Sequence, residues 1–207
     1  MNTFAEEENH ERHRQPSKPI INVEGEKVAL GPLRRDLIPL YHKWDTDFAI
    51  NRTTSRAGPF TLEQEEEAYE RYSKDDSIAL FTVYERATWR PIGKAYLSNI
   101  SSRNAEFGIV IGERDCQGLG YGTQATCLVL DYAFTVLGLH NVMLTVFEYN
   151  LAGLRAYEKA GFREIGRRRE AKWMNGKLWD IVYMDCLSSE FSSPVLGQVF
   201  VPDEPLT

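Results

Sequence analysis

The sequence Cys116-Gln117-Gly118-Leu119-Gly120-Tyr121-Gly122-Thr123 joins an apolar run at residues 105–111 to an amphipathic run at residues 121–137. This order predicts a strand, a loop and a helix. Three glycines in five residues allow positive φ angles and a close approach of a ligand to the main chain. The first N–H groups of a helix lack intrahelical partners and lie at its positive end, so this glycine loop is predicted to bind a phosphate or pyrophosphate.

Two nucleotide-binding patterns do not fit the glycine loop. The Walker loop ends in Gly-Lys-Ser/Thr, whereas this loop has Gly122-Thr123 and no lysine. The dinucleotide fingerprint G-x-G-x-x-G is excluded because Gly118, Gly120 and Gly122 are each two residues apart. An ordinary glycine-rich turn is the simpler alternative.

Several further motifs follow the loop in a fixed order. Gln117-x-x-Gly120-x-Gly122 resembles the Q/R-x-x-G-x-G/A motif of the GNAT superfamily of acyl-CoA-dependent N-acyltransferases. The resemblance covers residues 26–187, and it is similar in particular to the branch of ribosomal-protein N-terminal and spermidine N-acetyltransferases. It continues through these segments: Asp131-Tyr132-Ala133-Phe134, Leu139-His140-Asn141-Val142, Asn150, and Ala156-Tyr157-Glu158-Lys159-Ala160-Gly161-Phe162.

The expected fold is α/β (α+β), with a mixed, mainly antiparallel sheet that is flanked by helices. The resemblance implies that this sheet splays at the acyl-CoA site. Periodicity predicts a first strand at 23–32, a meander at 78–85, 91–100 and 105–111, and a crossover to a parallel strand at 142–147. A final hairpin of residues 162–169 and 179–186 turns at Asn175-Gly176.

The domain organisation follows from length and composition. A chain of 207 residues predicts one domain, here residues 20–187. Residues 1–19 are charged and poor in apolar side chains, which predicts a tail that is disordered or held by a partner. Residues 188–207 form an extension with too many apolar side chains for a solvated tail, and it packs on its own domain or on a neighbour's. Those side chains are Phe191, Val195, Leu196, Val199 and Phe200.

Composition also bears on partners and location. A net charge of −6 argues against nonspecific nucleic-acid binding. The three cysteines have no C-x-x-C spacing, so neither a zinc site nor a disulfide framework is predicted. No apolar run reaches the length of a membrane span. We expect a cytoplasmic protein that needs no metal and binds neither membrane nor nucleic acid, with a homodimer kept as one option.

The resemblance implies that acetyl-CoA is the acyl-donor cosubstrate. Main-chain N–H groups of residues 117–123 would bind its pyrophosphate, and the strand before the loop would pair with the pantetheine arm. Asn150 is either a helix cap, a partner of that arm, or both. The expected cofactor-binding residues are Ile109, Val110, Ile111, Gln117, Gly118, Leu119, Gly120, Tyr121, Gly122, Thr123 and Asn150.

Two residues are candidates for acid–base catalysis. The resemblance points to Glu106 as the base, and apolar neighbours would raise its pKa. One alternative is an exposed or ion-paired strand residue, and another is a residue that only orients the substrate while solvent deprotonates the amine. The resemblance points to Tyr157 as the acid that protonates the CoA sulfur, the alternative being a core tyrosine.

Cys116 lies beside a helix start, but no histidine is placed to activate it, so direct attack is favoured over an acyl-cysteine.

The acceptor would contact the first helix region and the last hairpin. An aromatic and acidic wall of this kind suits a cationic amine; packing and capping roles are the alternatives. The candidates are Tyr41, Trp44, Asp45, Asp47, Trp173 and Trp179. The predicted function is acetyl transfer to a primary amine of a small cation, such as a polyamine or an antibiotic-like amine. A protein N-terminal acetyltransferase and a non-catalytic CoA-binding regulatory protein are the alternatives.

Overall fold

A sheet of eight strands runs through the computed structural model, which describes residues 18–54 and 58–203. The strand order across the sheet is β1-β2-β3-β4-β5-β6-β8-β7. The strands are β1 (Val23–Glu24), β2 (Val28–Pro32), β3 (Ala79–Glu85), β4 (Pro91–Ser101), β5 (Asn104–Ile111), β6 (Asn141–Phe147), β7 (Arg163–Met174) and β8 (Lys177–Leu187).

The pairing of the strands confirms the predicted topology. Strands β3, β4 and β5 form the antiparallel meander, and β7 and β8 form the hairpin across Asn175-Gly176. The only parallel pair in the described sheet is β5 with β6, as the crossover predicts. That pair extends over Asn104, Ala105 and Glu106 opposite residues 141–143. Beyond Glu106 the two strands separate, so the sheet splays as expected.

In the described ranges five α-helices lie beside the sheet: α1 (Ile38–Thr46), α2 (Phe48–Asn51), α3 (Leu62–Tyr72), α4 (Tyr121–Asp131) and α5 (Leu151–Ala160). Helix α3 begins with a capping box, because the Thr61 side chain accepts from the Gln64 N–H and the Gln64 side chain accepts from the Thr61 N–H. Helix α5 ends at Gly161, whose φ of 107° is left-handed.

Two hydrophobic clusters occupy opposite faces of the sheet. The larger cluster packs β-strand side chains such as Leu97 and Leu144 against Leu128 of α4. The smaller one is formed by Ile38, Tyr41, Trp44 and Ile50 of α1 and α2. Val110 of β5 packs on the smaller cluster, whereas its neighbours Ile109 and Ile111 pack on the larger one. Because strand side chains alternate between faces, the clusters lie on the two sides of β5.

Two predicted elements differ from the structure. The single first strand at residues 23–32 is instead the hairpin β1–β2, since the Gly25 N–H donates to the Val28 carbonyl at 2.9 Å and closes a turn. The helix predicted to run to residue 137 is α-helical only to Asp131 and continues as a π-helical turn, Tyr132–Val136. Five residues are too few for apolar spacing to separate these two helix types.

The described part of the C-terminal extension packs on helix α4. The buried carboxylate of Asp131 accepts from Ser193 Oγ at 2.5 Å and from the N–H groups of Val195 and Leu196 at 3.0 and 2.9 Å. Leu196 is itself buried in the core, whereas Val199 is exposed. Of the two alternatives for this extension, the contacts through Leu196 are with its own domain.

The predicted N-terminal tail falls mostly outside the described residues. The structure describes the chain from residue 18, so for residues 1–17 the expectation of a disordered or partner-held segment stays a prediction. The two following residues contact the fold, because Lys18 pairs with Glu24 at 2.7 Å and Pro19 is buried.

Replacing Asp131 by alanine should lower the free energy of unfolding by about 2 to 4 kcal/mol, because two main-chain donors of the extension lose their charged acceptor. Urea unfolding of the full chain measures this change. Ser192→Ala is the control, since Ser192 lies in the same segment, is exposed and makes no described hydrogen bond. An Asp131→Ala variant within 0.5 kcal/mol of the parent, on the order of an ordinary surface substitution, would show that the carboxylate does not hold the extension.

Candidate active site

The glycine loop adopts the backbone that its sequence predicts. Gly118 and Gly120 have φ angles of 77° and 83°, in the left-handed region that favours glycine. Gly120 is the N-cap of α4, where no side chain caps the helix and no acidic residue lies in the first turn. Among the described residues the N–H groups of Gly118, Leu119 and Gly120 have no hydrogen-bond acceptor. These unpaired donors lie at the positive end of the helix, where an anion binds well.

A cavity of about 400 Å³, here called the loop cavity, lies between the glycine loop, β5 and α5. Arg155 and Lys159 line it from one face of α5. Both side chains are exposed, and neither forms an ion pair within the described ranges. Two free cations facing unpaired N–H groups fit an anionic ligand with several phosphates.

A second cavity of about 580 Å³, here called the aromatic cavity, opens on the other side of the strand separation. Its aromatic lining consists of Tyr72, Tyr96, Phe107, Phe147 and Tyr157. Ile109, Val110 and Tyr157 line both cavities, so the two meet where β5 and β6 have separated. A ligand in one cavity can therefore reach a ligand in the other beside Tyr157.

Tyr157 lies at the junction of the two cavities on α5. Its ring packs edge-to-face against Phe107 at 6.2 Å and against Phe162 at 6.1 Å between centroids. Burial raises the pKa of the phenol to about 12, with nearby Tyr96 adding a smaller effect in the same direction. The hydroxyl is therefore protonated at neutral pH, as a general acid must be.

Glu106 is exposed and lines the aromatic cavity. It is the last β5 residue that pairs with β6, opposite Met143, so it lies at the start of the separation. The expectation that apolar neighbours enclose its carboxylate is wrong, because the strands part at this position and leave the side chain open to the cavity. An exposed carboxylate at this place can orient a cationic group and accept a proton from it.

Asn150 caps helix α5 and also lines the loop cavity. Its Oδ1 atom accepts from the Gly153 N–H at 3.0 Å. The cap fixes the start of α5 and hence the direction of Arg155 and Tyr157 further along the same helix.

Comparison with known proteins places these features in a family. The sequence pattern of the acetyltransferase (GNAT) domain matches residues 27–163. This chain belongs to the GNAT acetyltransferase family.

Similar GNAT proteins differ in the acceptors that their names give. A spermidine N(1)-acetyltransferase of Vibrio cholerae is 34% identical over 133 residues, which cover 63% of this chain and 76% of that protein. Human alpha/beta-tubulin-N-acetyltransferase 9 is 27% identical over 155 residues, covering 68% and 74% of the two chains. The crystal structure of the Vibrio cholerae spermidine N-acetyltransferase with CoA and spermine superposes with a TM-score of 0.74 at 28% identity, covering 80% of this chain and 98% of that one.

The structure brings most of the expected cofactor residues of this GNAT domain together in the loop cavity. Those that line it are Ile109, Val110, Ile111, Gln117, Gly118, Gly120, Gly122, Thr123 and Asn150. Leu119 and Tyr121 do not line it: the Leu119 side chain is half exposed, and the Tyr121 hydroxyl donates to Glu85 at 2.9 Å.

The acceptor wall predicted from the first helix region is largely wrong. Tyr41 and Trp44 are buried in the smaller cluster, because Gly112 has no side chain and leaves room for the Trp44 ring. Asp47 caps α2 and pairs with Arg114 at 2.7 Å, which lowers its pKa. Asp45 does line the aromatic cavity, where it pairs with Lys94 at 2.9 Å.

The two hairpin tryptophans also lie outside the aromatic cavity. Trp173 is 65% exposed near the hairpin turn. Trp179 packs against Tyr149 at 5.5 Å, and its indole N–H donates to the Met174 carbonyl at 3.2 Å. For Trp179 these contacts are the packing role that was the alternative to acceptor binding.

Sequence reasoning missed several residues that line the two cavities. Arg155 and Lys159 could have been found, because they are one turn apart on a helix that follows a clear cap. Tyr96 and Lys94 gave no local signal, since the pairing of β4 with β5 brings them to the aromatic cavity. Gly108 makes this possible, because a side chain there would clash with the Tyr96 ring.

A covalent acyl-cysteine gains no support from Cys116. The thiol is buried, and burial raises its pKa, although Arg90 lies 3.0 Å from the sulfur. A high thiol pKa keeps the sulfur protonated and a poor nucleophile.

In the described ranges no group of His, Cys, Asp or Glu is arranged to hold a metal ion, and no helix there has the length and apolarity of a membrane span.

Substituting Gly118 by alanine should raise the dissociation constant for CoA roughly tenfold, because a left-handed alanine costs about 1 to 2 kcal/mol unless the loop shifts. Isothermal titration calorimetry measures the affinity. Gly138→Ala is a matched control: its φ of 63° is also left-handed and its β-carbon position is equally open, but it lies beyond the other end of α4. Equal CoA affinity in both variants would show that the loop backbone does not hold the ligand.

Proposed function

We propose that this GNAT domain transfers the acetyl group of acetyl-CoA to a primary amine of a polyamine or a similar small cation by direct attack. The observation that carries the proposal is the meeting of the loop cavity and the aromatic cavity at Tyr157, beside the separated strands. The spermidine N-acetyltransferases among the similar proteins support the choice of acceptor.

The loop cavity is suited to the donor. Bound acetyl-CoA would supply an acetyl group activated as a thioester. The unpaired N–H groups of Gly118 and Gly120 would hold its phosphates, with Arg155 and Lys159 neutralising their charge. The open edge of β5 beyond Glu106 offers main-chain groups to the amide-rich arm.

The aromatic cavity is suited to an amine. Tyr72, Tyr96 and Phe147 present ring surface to an ammonium group. Glu106 would orient that ammonium and take its proton, directly or through water, which frees the nitrogen lone pair for attack. As the carbon–sulfur bond breaks, Tyr157 would give its phenolic proton to the departing sulfur.

Two other functions remain as rivals. Protein N-terminal acetylation is the first rival: the name of the human relative specifies a protein acceptor, tubulin, and an α-amino group could enter the same cavity. A non-catalytic CoA-binding protein would need only the loop cavity. We also propose a cytoplasmic setting, in line with three free cysteines, and keep a homodimer as one option for the assembly.

A panel of acceptors separates these functions. Thiol release from acetyl-CoA is measured with spermidine, spermine, simple diamines and peptides with free N-termini. We expect turnover with the polyamines at least tenfold faster, as kcat/KM, than with any peptide, which corresponds to about 1.4 kcal/mol of differential transition-state binding. Faster turnover of peptides would favour the tubulin-like function, and CoA binding without any thiol release would favour the regulatory protein.

The variant Tyr157→Phe should lower kcat by roughly 10² to 10³, the usual contribution of one acid–base group, with the KM for acetyl-CoA nearly unchanged. Because the pKa of Tyr157 is raised to about 12, the parent enzyme should lose no activity through this group below about pH 11. Tyr132→Phe is the matched control, since Tyr132 is another half-buried phenol and lines neither cavity. A Tyr157→Phe variant as active as this control would remove the proton-donor role.

A further inference from the structure

A lysine from the first hairpin lies behind the glycine loop. Lys27 Nζ donates to the Leu119 carbonyl at 3.3 Å, although the two residues are 92 positions apart. A β-carbon placed on Gly120 would lie 3.4 Å from the same ammonium group. Lys27 does not line the loop cavity, and in the described part of the chain it pairs with no carboxylate.

The turn that carries Lys27 is fixed to the first turn of α4. The Gln124 side-chain oxygen accepts from the N–H groups of Lys27 and Val28 at 2.6 and 2.9 Å. Gly25 in the same turn is packed closely, since a β-carbon there would lie 2.8 Å from that Gln124 oxygen and 3.0 Å from the Val28 carbonyl oxygen. The β1–β2 turn and the glycine loop therefore hold each other in position.

This contact sets the direction of one peptide unit. In a trans peptide the carbonyl and the following N–H point in opposite directions. Lys27 holds the Leu119 carbonyl on the side away from the loop cavity, so the Gly120 N–H faces the cavity that Gly120 lines. The reversed peptide would present a carbonyl oxygen to an anion and repel it.

We propose that Lys27 is a positioning residue for the acyl donor, which keeps the Gly120 N–H directed at the phosphate site. This inference rests on the donor binding of the proposed function but not on the identity of the acceptor.

Calorimetric titration of the full chain with CoA, without an acceptor, tests the proposal. Lys27→Met should weaken CoA binding about five- to tenfold, whereas Lys27→Arg, which keeps the donor and the charge, should stay within about twofold. Lys74→Met is the control, because it removes another exposed lysine charge, just beyond the end of α3 and outside both cavities. Unchanged CoA affinity in Lys27→Met, or an equal loss in Lys74→Met, would overturn the proposal.

Three further measurements distinguish a positioning role of Lys27 from a merely structural one. The melting temperature of ligand-free Lys27→Met should stay within about 2 °C of the parent, and its KM for acetyl-CoA should rise while its KM for the amine stays constant. The double variant Lys27→Met/Gln124→Ala should bind CoA no more weakly than the weaker single variant, since both remove the same support. A large fall in melting temperature, a rise in both KM values, or additive losses would each overturn the role.

The outcome also separates this inference from the proposed function. A parent chain that binds CoA but acetylates no amine refutes the proposed function and leaves the role of Lys27 to be decided by the affinities. A parent chain that acetylates polyamines while Lys27→Met binds CoA normally refutes the role of Lys27 alone. A parent chain that does not bind CoA refutes both.

Discussion

Strands β5 and β6 pair over three residues each and then separate, and the functional features of the molecule depend on that separation. The loop cavity and the aromatic cavity meet in the gap, and Tyr157 reaches it from α5. Parallel pairing that continued past Glu106 would close the gap with main-chain hydrogen bonds. The open edge of β5 therefore lacks main-chain hydrogen bonds that continued pairing would have supplied. A ligand with amide groups can form such bonds there.

Local signals in the sequence were sufficient for the parts of the fold that depend on a few neighbouring residues. The glycine loop and the turn at Asn175-Gly176 each require a particular residue at a particular backbone conformation, so they could be located. The burial of Tyr41 and Trp44 could not be predicted from such local signals. An aromatic residue on a helix faces a core or a cavity according to what packs against it, and here Gly112, about seventy residues later, makes room for the indole.

Ion pairs between residues far apart in the sequence shape the aromatic cavity. Lys94 of β4 lies 2.9 Å from Asp45 of α1 and 3.4 Å from Glu65 of α3, all largely buried. Burying such charges costs several kcal/mol per ion unless they are paired, so the cluster fixes how the two helices lie on the sheet. The aromatic cavity owes one wall to this cluster. Its members are separated by up to 49 positions, so no window of sequence could reveal them.

Helix α4 begins at the glycine loop and ends at Asp131, whose buried carboxylate accepts hydrogen bonds from Thr135 and from residues 193–196. During synthesis the ribosome makes α4 more than sixty residues before those partners exist. A buried carboxylate that lacks most of its hydrogen-bond donors is unfavourable. The C-terminal end of α4 should therefore stay incompletely packed on the nascent chain until the C-terminal segment emerges. Co-translational folding of the domain is then a late event, completed by a segment that lines neither cavity.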